Sequence, residues 1–221
     1  MNATCSVAVF LMLALSAAVV SPARAIEPDA VGVGMVHPPL DPNQPLYFYL
    51  SPDLGAYPST LTPDDSLTFR TGEHFIDIAT APPWFAPITL KLDYDLLYLR
   101  AVAVSRHWVE VVVNESPQRP RSFPATAWLN REAVSFRPWT EFLLDVYGVE
   151  ATDPAANPLR SGPGDEFPRI GSSDGLSLRV VAVQGSWLRV EDADADETDL
   201  PSGWIRWRDG DRLTIKYFLL S

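Results

Sequence analysis

The sequence carries no motif for nucleophilic, metal or cofactor chemistry. It contains no G-x-S-x-G, no H-E-x-x-H, no phosphate-binding glycine loop and no dinucleotide fingerprint. Its one cysteine, Cys5, lies near the N-terminus, and the three histidines, His37, His74 and His107, are far apart in the sequence. Two of these histidines beside a carboxylate could hold zinc. The alternative is that the three are ordinary residues of a tail, a strand and a hairpin. We expect no catalytic residues, no metal and no cofactor.

A dense acidic segment occupies residues 191–199. Asp192, Asp194 and Asp196 have the spacing that begins the calcium loop of helix-loop-helix proteins. That loop needs Gly at its sixth position and Glu at its twelfth, where this chain has Glu197 and Gly203. We therefore expect a solvated hairpin loop without calcium dependence, with a looser calcium site as the alternative.

Aromatic residues are the strongest binding signal. Aromatic side chains near the loops of a small β domain can line a groove for extended or proline-rich peptides. The alternative for each is a place in the core. We expect Trp204 to be partly in the core and Trp207 to lie outside it. The candidate ligand-binding residues are Trp187, Trp204, Trp207, Tyr217, Trp108 and Trp128.

Short runs of β-branched and aromatic residues, broken by Pro, Gly, Asp and Ser, predict an all-β chain. The 21 prolines argue against long helices. One segment, residues 138–146, fits either a short helical turn or a strand. The strand candidates are residues 46–50, 74–78, 96–104, 108–113, 176–183, 187–190 and 213–218.

An internal repeat organises these strands. Residues 99–111 read LRAVAVSRHWVEV, and residues 178–190 read LRVVAVQGSWLRV, with seven identities at a constant offset of 79. Trp128 closes the first copy and Trp204 the second. Repeats of this kind indicate two copies of one structural unit, so the two segments should share a fold, with Trp108 at the place of Trp187.

The second copy resembles the bacterial SH3 (SH3b) family. The resemblance rests on the opening segment NPLRSGPGDEFPRI at residues 157–170, the strand at 178–183, the W-[LV]-x-V strand SWLRV at 186–190, and GWI at 203–205. It implies a small β-barrel over residues 153–221 that binds peptides. The cell-wall peptidase domains that often accompany such modules need a cysteine, which implies a non-enzymatic role here.

The first copy matches only the later part of that pattern. It lacks the R-x-G-P opening, and Trp84 and Tyr94 lie in segments with no place in the pattern. The expected fold is therefore two SH3-like small β-barrels in tandem, the first enlarged or atypical. The expected boundaries are a signal peptide at 1–25, a Pro-rich tether or extended edge segment at 26–45, the first domain at 46–140, a linker at 141–152 and the second barrel at 153–221.

The N-terminus indicates export. Residues 7–20 are apolar but shorter than a membrane span of roughly 20 residues, and Ala23-Arg24-Ala25 fits signal cleavage. An uncleaved N-terminal anchor is the alternative. The mature chain would be periplasmic or secreted, with no stable membrane span. It carries 16 basic and 28 acidic residues, a net charge of −12, which disfavours nucleic acid and anionic membranes.

These observations favour an exported, bacterial cell-envelope protein of the SH3-like class. We expect it to bind cell-wall peptide or a periplasmic protein partner, without enzymatic activity. One alternative is a structural protein whose two barrels pack on each other without a ligand groove. Another is a metal-assisted hydrolase built on the histidines and carboxylates of residues 64–107. Clustered histidines would favour the hydrolase, and tryptophans buried between the units would favour the structural protein.

Overall fold

The computed structural model describes residues 30–193 and 202–221, and these form a predominantly β structure. The expected signal peptide with its cleavage site, the first residues of the expected tether, and residues 194–199 of the acidic segment lie outside the described residues. Within the described part of the chain, no helix has the length and apolar character that a membrane crossing requires.

The first unit covers residues 34–138. Strands β8-β7-β6-β1-β9 form its main sheet in that order, with β5 beside β6, while β2-β3-β4 form a second sheet. A backbone bridge between Tyr49 and Trp128 places β2 beside β8. The strands are β1 (Gly34–His37), β2 (Leu46–Phe48), β3 (Asp65–Thr71), β4 (Ile76–Thr80), β5 (Thr89–Lys91), β6 (Leu96–Val104), β7 (Trp108–Val112), β8 (Thr126–Asn130) and β9 (Ser135–Pro138).

A single helical turn, α1 (Trp139–Phe142), leads to the second unit, which covers residues 148–218. Seven of its strands form one sheet in the order β12-β11-β15-β14-β13-β10-β18, and β16 pairs with β17. The strands are β10 (Gly148–Ala151), β11 (Leu159–Arg160), β12 (Arg169–Gly171), β13 (Leu178–Gln184), β14 (Trp187–Asp192), β15 (Ser202–Arg206), β16 (Arg208–Asp209), β17 (Arg212–Leu213) and β18 (Ile215–Phe218).

The sequence repeat is a structural repeat, as predicted. In the first unit Ala101 pairs with Val111, and in the second Val180 pairs with Val190. A β-bulge follows at the same place in both hairpins, after Ala101 and after Val180. The next strand is also equivalent, because Trp108 pairs with Asn130 as Trp187 pairs with Arg206. Both copies are therefore the same antiparallel meander in the same register.

The equivalence extends beyond the repeated residues. Val36 of β1 pairs with Leu99, and Val149 of β10 pairs with Leu178, the residue equivalent to Leu99. Each of these strands also pairs with the last strand of its own unit. The order β8-β7-β6-β1-β9 thus corresponds to β15-β14-β13-β10-β18. In the first unit, the chain between β1 and β6 adds the β2–β3 hairpin beside β8. In the second unit, the chain between β10 and β13 adds the β11–β12 hairpin beside β15.

Two expected connecting segments are strands instead. Residues 34–37, expected in a tether or an edge segment, form β1 in the middle of the main sheet between β6 and β9. Residues 148–151, expected in a linker, form β10 between β13 and β18. The alternative of a helical turn within residues 138–146 is correct, since α1 lies there. Each unit needs its own first strand, and these two segments supply them.

A glycine turn before β1 joins the two units. The backbone N–H of Val31 donates to Asp211 O at 2.7 Å in the second unit, and that of Val33 donates to Ala101 O at 2.7 Å in the first. Gly32 between them has φ +65°, and a Cβ there would lie 2.3 Å from Ala101 O. Only glycine fits this reversal, because both the conformation and the close approach exclude a side chain.

Each unit has its own hydrophobic core, and the core of the second unit extends around Trp139 to the first strand of the first unit. Val31, which precedes β1, and Met35, which lies in it, are buried with the core of the second unit. Val36, the next residue of β1, is buried in the core of the first unit. The indole Nε1 of Trp139 donates to Val31 O at 2.7 Å. Its ring lies 5.9 Å from Trp207, 5.8 Å from Tyr217 and 5.6 Å from Phe142, measured between centroids. We call these four side chains, with Tyr98, the inter-unit aromatic cluster.

The structure corrects the expected position of Trp207, and Trp204 is partly buried. Trp207, expected outside the core, is 2% exposed, and its Nε1 donates to Gly185 O at 3.0 Å. Trp204, expected partly in the core, is partly exposed on the opposite side of β15 from the fully buried Ile205. The strand alternation continues one residue past β15, which turns Trp207 inward with Ile205.

Truncation of Trp207 should destabilise the protein far more than truncation of Trp204. Trp207→Ala removes a buried ring from the inter-unit aromatic cluster, so the free energy of unfolding should fall by about 3–5 kcal/mol. Trp204→Ala should lower it by less than about 2 kcal/mol because part of the ring already contacts water. Urea unfolding of both variants measures the difference. Equal losses would contradict the placement of Trp207.

Candidate functional site

The outer face of the second unit gathers two tryptophans and three arginines. Leu188, Val190 and Ile205 are fully buried, so the residues between them on β14 and β15 point to the other side of the sheet. Trp204 pairs with Arg160 of β11 on one side and with Arg189 of β14 on the other. The outer face therefore carries Trp187, Arg189, Trp204, Arg206 and Arg160.

Two guanidinium groups lie over the ring of Trp187. The Cζ atom of Arg206 is 5.0 Å from the centre of its ring and that of Arg160 is 5.9 Å away. Asp165 pairs with both arginines, at 3.3 Å from Arg160 Nη2. One carboxylate thus holds both arginines in place. Each cation–π contact between a guanidinium group and the indole contributes roughly 0.5–1 kcal/mol.

A pocket of about 200 Å³ opens beside Trp187. Its charged lining consists of two arginines and three carboxylates, so its formal charge is −1. Asp209 accepts from Arg206 Nη1 at 3.2 Å, and Asp153 accepts from the backbone N–H groups of Ala155 and Ala156 at 3.1 Å each. The lining residues are Thr152, Asp153, Ala156, Asn157, Arg160, Asp165, Trp187, Arg206, Asp209 and Thr214.

The equivalent position in the first unit is closed. Trp108, which corresponds to Trp187, is fully buried. Its Nε1 donates to Ala56 O at 3.1 Å, and the Tyr49 ring meets its face edge-on at 4.9 Å. Tyr57 covers the neighbouring His107 with ring centroids 4.0 Å apart. The chain's own segment at residues 50–64, which we call the covering loop, therefore occupies the site over Trp108.

Loop length explains why one site is covered and the other open. Tyr49 and Arg160 are equivalent, since each lies beside the closing tryptophan of its unit. From Tyr49 the chain runs through the covering loop to β3, whereas from Arg160 it reaches β12 over residues 161–168. The shorter loop turns tightly, with the Phe167 ring packed on Gly162, where a Cβ would meet the ring at 2.4 Å. Among the described residues, Trp187 Nε1 has no hydrogen-bond acceptor.

The other aromatic candidates do not join this site. Trp108 and Trp207 are buried, and Tyr217 is partly buried in the inter-unit aromatic cluster. Trp128 is partly exposed on β8 of the first unit, at the position equivalent to Trp204. The structure thus brings together Trp187 and Trp204 and separates the remaining four.

A second groove, of about 350 Å³, lies in the first unit beside the covering loop. Prolines and tyrosines line it, including Pro58 and Tyr49. The Tyr49 hydroxyl already donates to Pro58 O at 3.3 Å, so this pair links the groove wall to the covering loop. The groove contains none of the candidate tryptophans.

The histidines do not converge on one site. His37 Nδ1 lies 3.0 Å from Leu97 O, His74 is an exposed partner of Glu73 at 3.7 Å, and His107 is buried against Tyr57. Within residues 30–193 and 202–221, no group of three or more His, Cys, Asp or Glu side chains is arranged to hold a metal. The histidine cluster that would have favoured a metal-assisted hydrolase is therefore not found in this part of the chain.

Sequence reasoning missed a buried ion pair of the first unit whose charges act on Tyr217 of the second. Arg100 is 6% exposed, and its Nη2 lies 3.4 Å from Glu115 Oε2. Burial raises the pKa of the Glu115 carboxyl, although the Arg100 guanidinium acts in the opposite direction. Arg100 and Tyr98 both lie on the face of β6 opposite the buried Leu97 and Leu99. The missing signal was the alternation along β6, which turns Arg100 away from the first core.

Comparisons with family models, with curated proteins and with solved structures give no match for this chain.

The buried phenol of Tyr217 should make stability fall at alkaline pH. Burial raises the pKa of Tyr217 above 10.0, the negative charge of Glu115 adds to the increase, and Arg100 opposes it. The folded protein holds the phenol proton of Tyr217 more tightly than the unfolded chain does, so the neutral phenol stabilises the fold below pH 10. This stabilisation is lost as the pH rises through the folded-state pKa. Wild type should therefore lose stability relative to Tyr217→Phe above pH 10.

Urea unfolding between about pH 8 and pH 11 measures this difference. Tyr147→Phe, at a tyrosine that is 52% exposed, is the matched control for loss of a surface phenol. A difference between wild type and Tyr217→Phe that does not change with pH would contradict the prediction.

Proposed function

We propose that this chain is an exported, non-enzymatic protein made of two SH3-like units, and that its second unit binds a peptide at Trp187. One observation carries the proposal. At equivalent positions, Trp108 is covered and hydrogen-bonded by the chain's own loop, whereas Trp187 borders an open pocket with its indole N–H unpaired among the described residues.

The likeness of the two units supports the SH3-like assignment. The motifs that resemble the bacterial SH3 family lie on one face of the second unit. Arg160, which begins the R-x-G-P loop, and Trp187, which begins β14, line the pocket, and Trp204 on β15 pairs with Arg160. The covering loop and the additional strand β4 make the first unit the enlarged one. A peptide between the indole and the loops would use the aromatic groove of such modules.

The chemistry of the pocket favours a peptide with a hydrogen-bond acceptor, and its formal charge of −1 adds a weaker preference for a positive charge. The indole N–H offers a donor, and the arginine-flanked ring offers an apolar surface. The carboxylates of Asp153, Asp165 and Asp209 outnumber the two guanidinium groups. Such a peptide can come from the cell wall, whose stems carry diamino acids, or from a periplasmic protein.

Trp187→Ala should weaken peptide binding by about 30-fold, the effect of losing about 2 kcal/mol at a central aromatic contact. The measurement is co-sedimentation of the chain from residue 26 onward with purified peptidoglycan sacculi, together with titration of soluble stem peptides. Trp128→Ala, at a partly exposed tryptophan of the first unit, is the control and should bind as wild type does.

Trp187→Phe separates the two contributions, because it keeps an aromatic ring and removes the N–H donor. Melting temperatures establish that each variant is folded. If wild type does not bind sacculi, the cell wall is excluded as the source of the peptide. If folded Trp187→Ala binds sacculi as wild type does, the pocket is not the binding site.

A structural role is the second candidate, favoured by the inter-unit aromatic cluster. Trp139 and Trp207 are buried where the two units meet, which is the arrangement expected for a protein whose units only support each other. On that alternative Trp187→Ala would change neither sacculus binding nor peptide binding, while Trp207→Ala would still destabilise the fold.

A further inference from the structure

The covering loop is itself a peptide bound to a tryptophan of this fold. It turns at Asp53, whose carbonyl accepts from Ala56 N at 3.0 Å and whose carboxylate accepts from Gly55 N at 2.9 Å. This turn directs Ala56 O to Trp108 Nε1 at 3.1 Å. Pro58 is buried, and its carbonyl accepts from the Tyr49 hydroxyl at 3.3 Å. The bound segment thus presents two backbone carbonyls, one on each side of Tyr57.

The open site keeps the main binding group and changes its neighbours. Trp187 Nε1 takes the place of Trp108 Nε1, the Arg160 guanidinium takes the place of the Tyr49 ring, and Ser186 takes the place of the large His107. A pocket of about 200 Å³ lies beside Trp187, whereas Trp108 is covered by the chain's own loop. Equivalent tryptophans thus lie at one site that the chain covers and at one that it leaves open.

Resting on the proposed function, we infer that the Trp187 pocket binds a proline-containing turn of a partner protein, one that presents a backbone carbonyl to the indole N–H. The model for this ligand is residues 49–60, YLSPDLGAYPST, of the chain itself. A second copy of the chain cannot supply that segment while its own Trp108 stays covered. The expected occupant is therefore a different protein with a turn of the same chemistry.

A synthetic peptide with the sequence of residues 49–60 is the probe. It is titrated into the full chain while the indole N–H resonances are followed by NMR, with Trp187 assigned through Trp187→Phe. We expect the Trp187 resonance to shift and saturate with a Kd of about 1 mM or below, since ordering a free peptide lowers its affinity. Trp187→Phe should weaken binding at least tenfold.

Control peptides test the chemistry of the turn. A scrambled peptide should bind at least fivefold more weakly because it loses the turn at Asp53 that directs the carbonyl of Ala56. A peptide carrying Pro58→Ala should also bind at least fivefold more weakly because it loses the proline that is buried in the covering loop. Equal binding of the scrambled peptide, or no shift of the Trp187 resonance up to solubility, would overturn the inference. A shift confined to indole groups other than Trp187 would also overturn it.

A loop exchange provides a second test within the chain. Replacing residues 161–168 by residues 50–64 should cover Trp187, so the indole N–H of this variant should be protected from solvent exchange and the probe should no longer bind. A folded variant in which Trp187 exchanges and binds the probe as in wild type would contradict the inference. Should this variant fail to fold, the comparison of wild type with Trp187→Phe decides alone.

The two proposals can fail separately. If sacculi bind through Trp187 and the probe does not bind, the pocket is a peptide site but its ligand is a cell-wall stem, so the inference of a protein turn is wrong. If neither sacculi nor the probe depends on Trp187, the proposed function fails together with it.

Discussion

Burial of β1 on both faces determines the arrangement of the whole molecule. Val36 packs into the first core and Met35 into the second, so one strand belongs to both. The inter-unit aromatic cluster forms on the Met35 side, where Trp139 is held by the carbonyl of Val31. Because these inner faces are used to join the units, only outward faces and loops remain open to solvent, and the outer face of β14 and β15 is one of these.

Duplication of the fold has preserved the core and changed the loops. Equivalent core positions keep apolar residues of similar size, such as Leu99 with Leu178 and Leu129 with Ile205, all fully buried. The loops after Tyr49 and Arg160 differ in length. The longer loop covers Trp108, and the shorter one leaves Trp187 beside an open pocket. Loops tolerate such changes because few core contacts depend on them, whereas a change of strand register would turn every side chain to the other face.

The sequence predicted the repeated hairpins well because their pattern is local. Alternation from residue 99 to 111 and from 178 to 190 defines one buried face, and the identical positions define the register. The first strands were missed because GMVH at residues 34–37 is short and follows Gly and Pro residues that resemble a tether. Its pairing with β6 depends on contacts across more than sixty residues of sequence, which no local pattern contains.

The candidate site was predictable only in part, for the same reason. Alternation along β14 and β15 places Trp187 and Trp204 outward, but the closure of Trp108 depends on a loop that returns from fifty residues upstream. Asp165 is likewise brought to Arg206 by the turn after β11, so two arginines that share one carboxylate lie over the indole. A carboxylate that is paired with two guanidinium groups attracts a cationic ligand less than a free one does. Binding at Trp187 should therefore depend more on the shape of the ligand and on a hydrogen bond from the indole N–H than on net charge. In the first unit, the covering loop accepts such a hydrogen bond from Trp108.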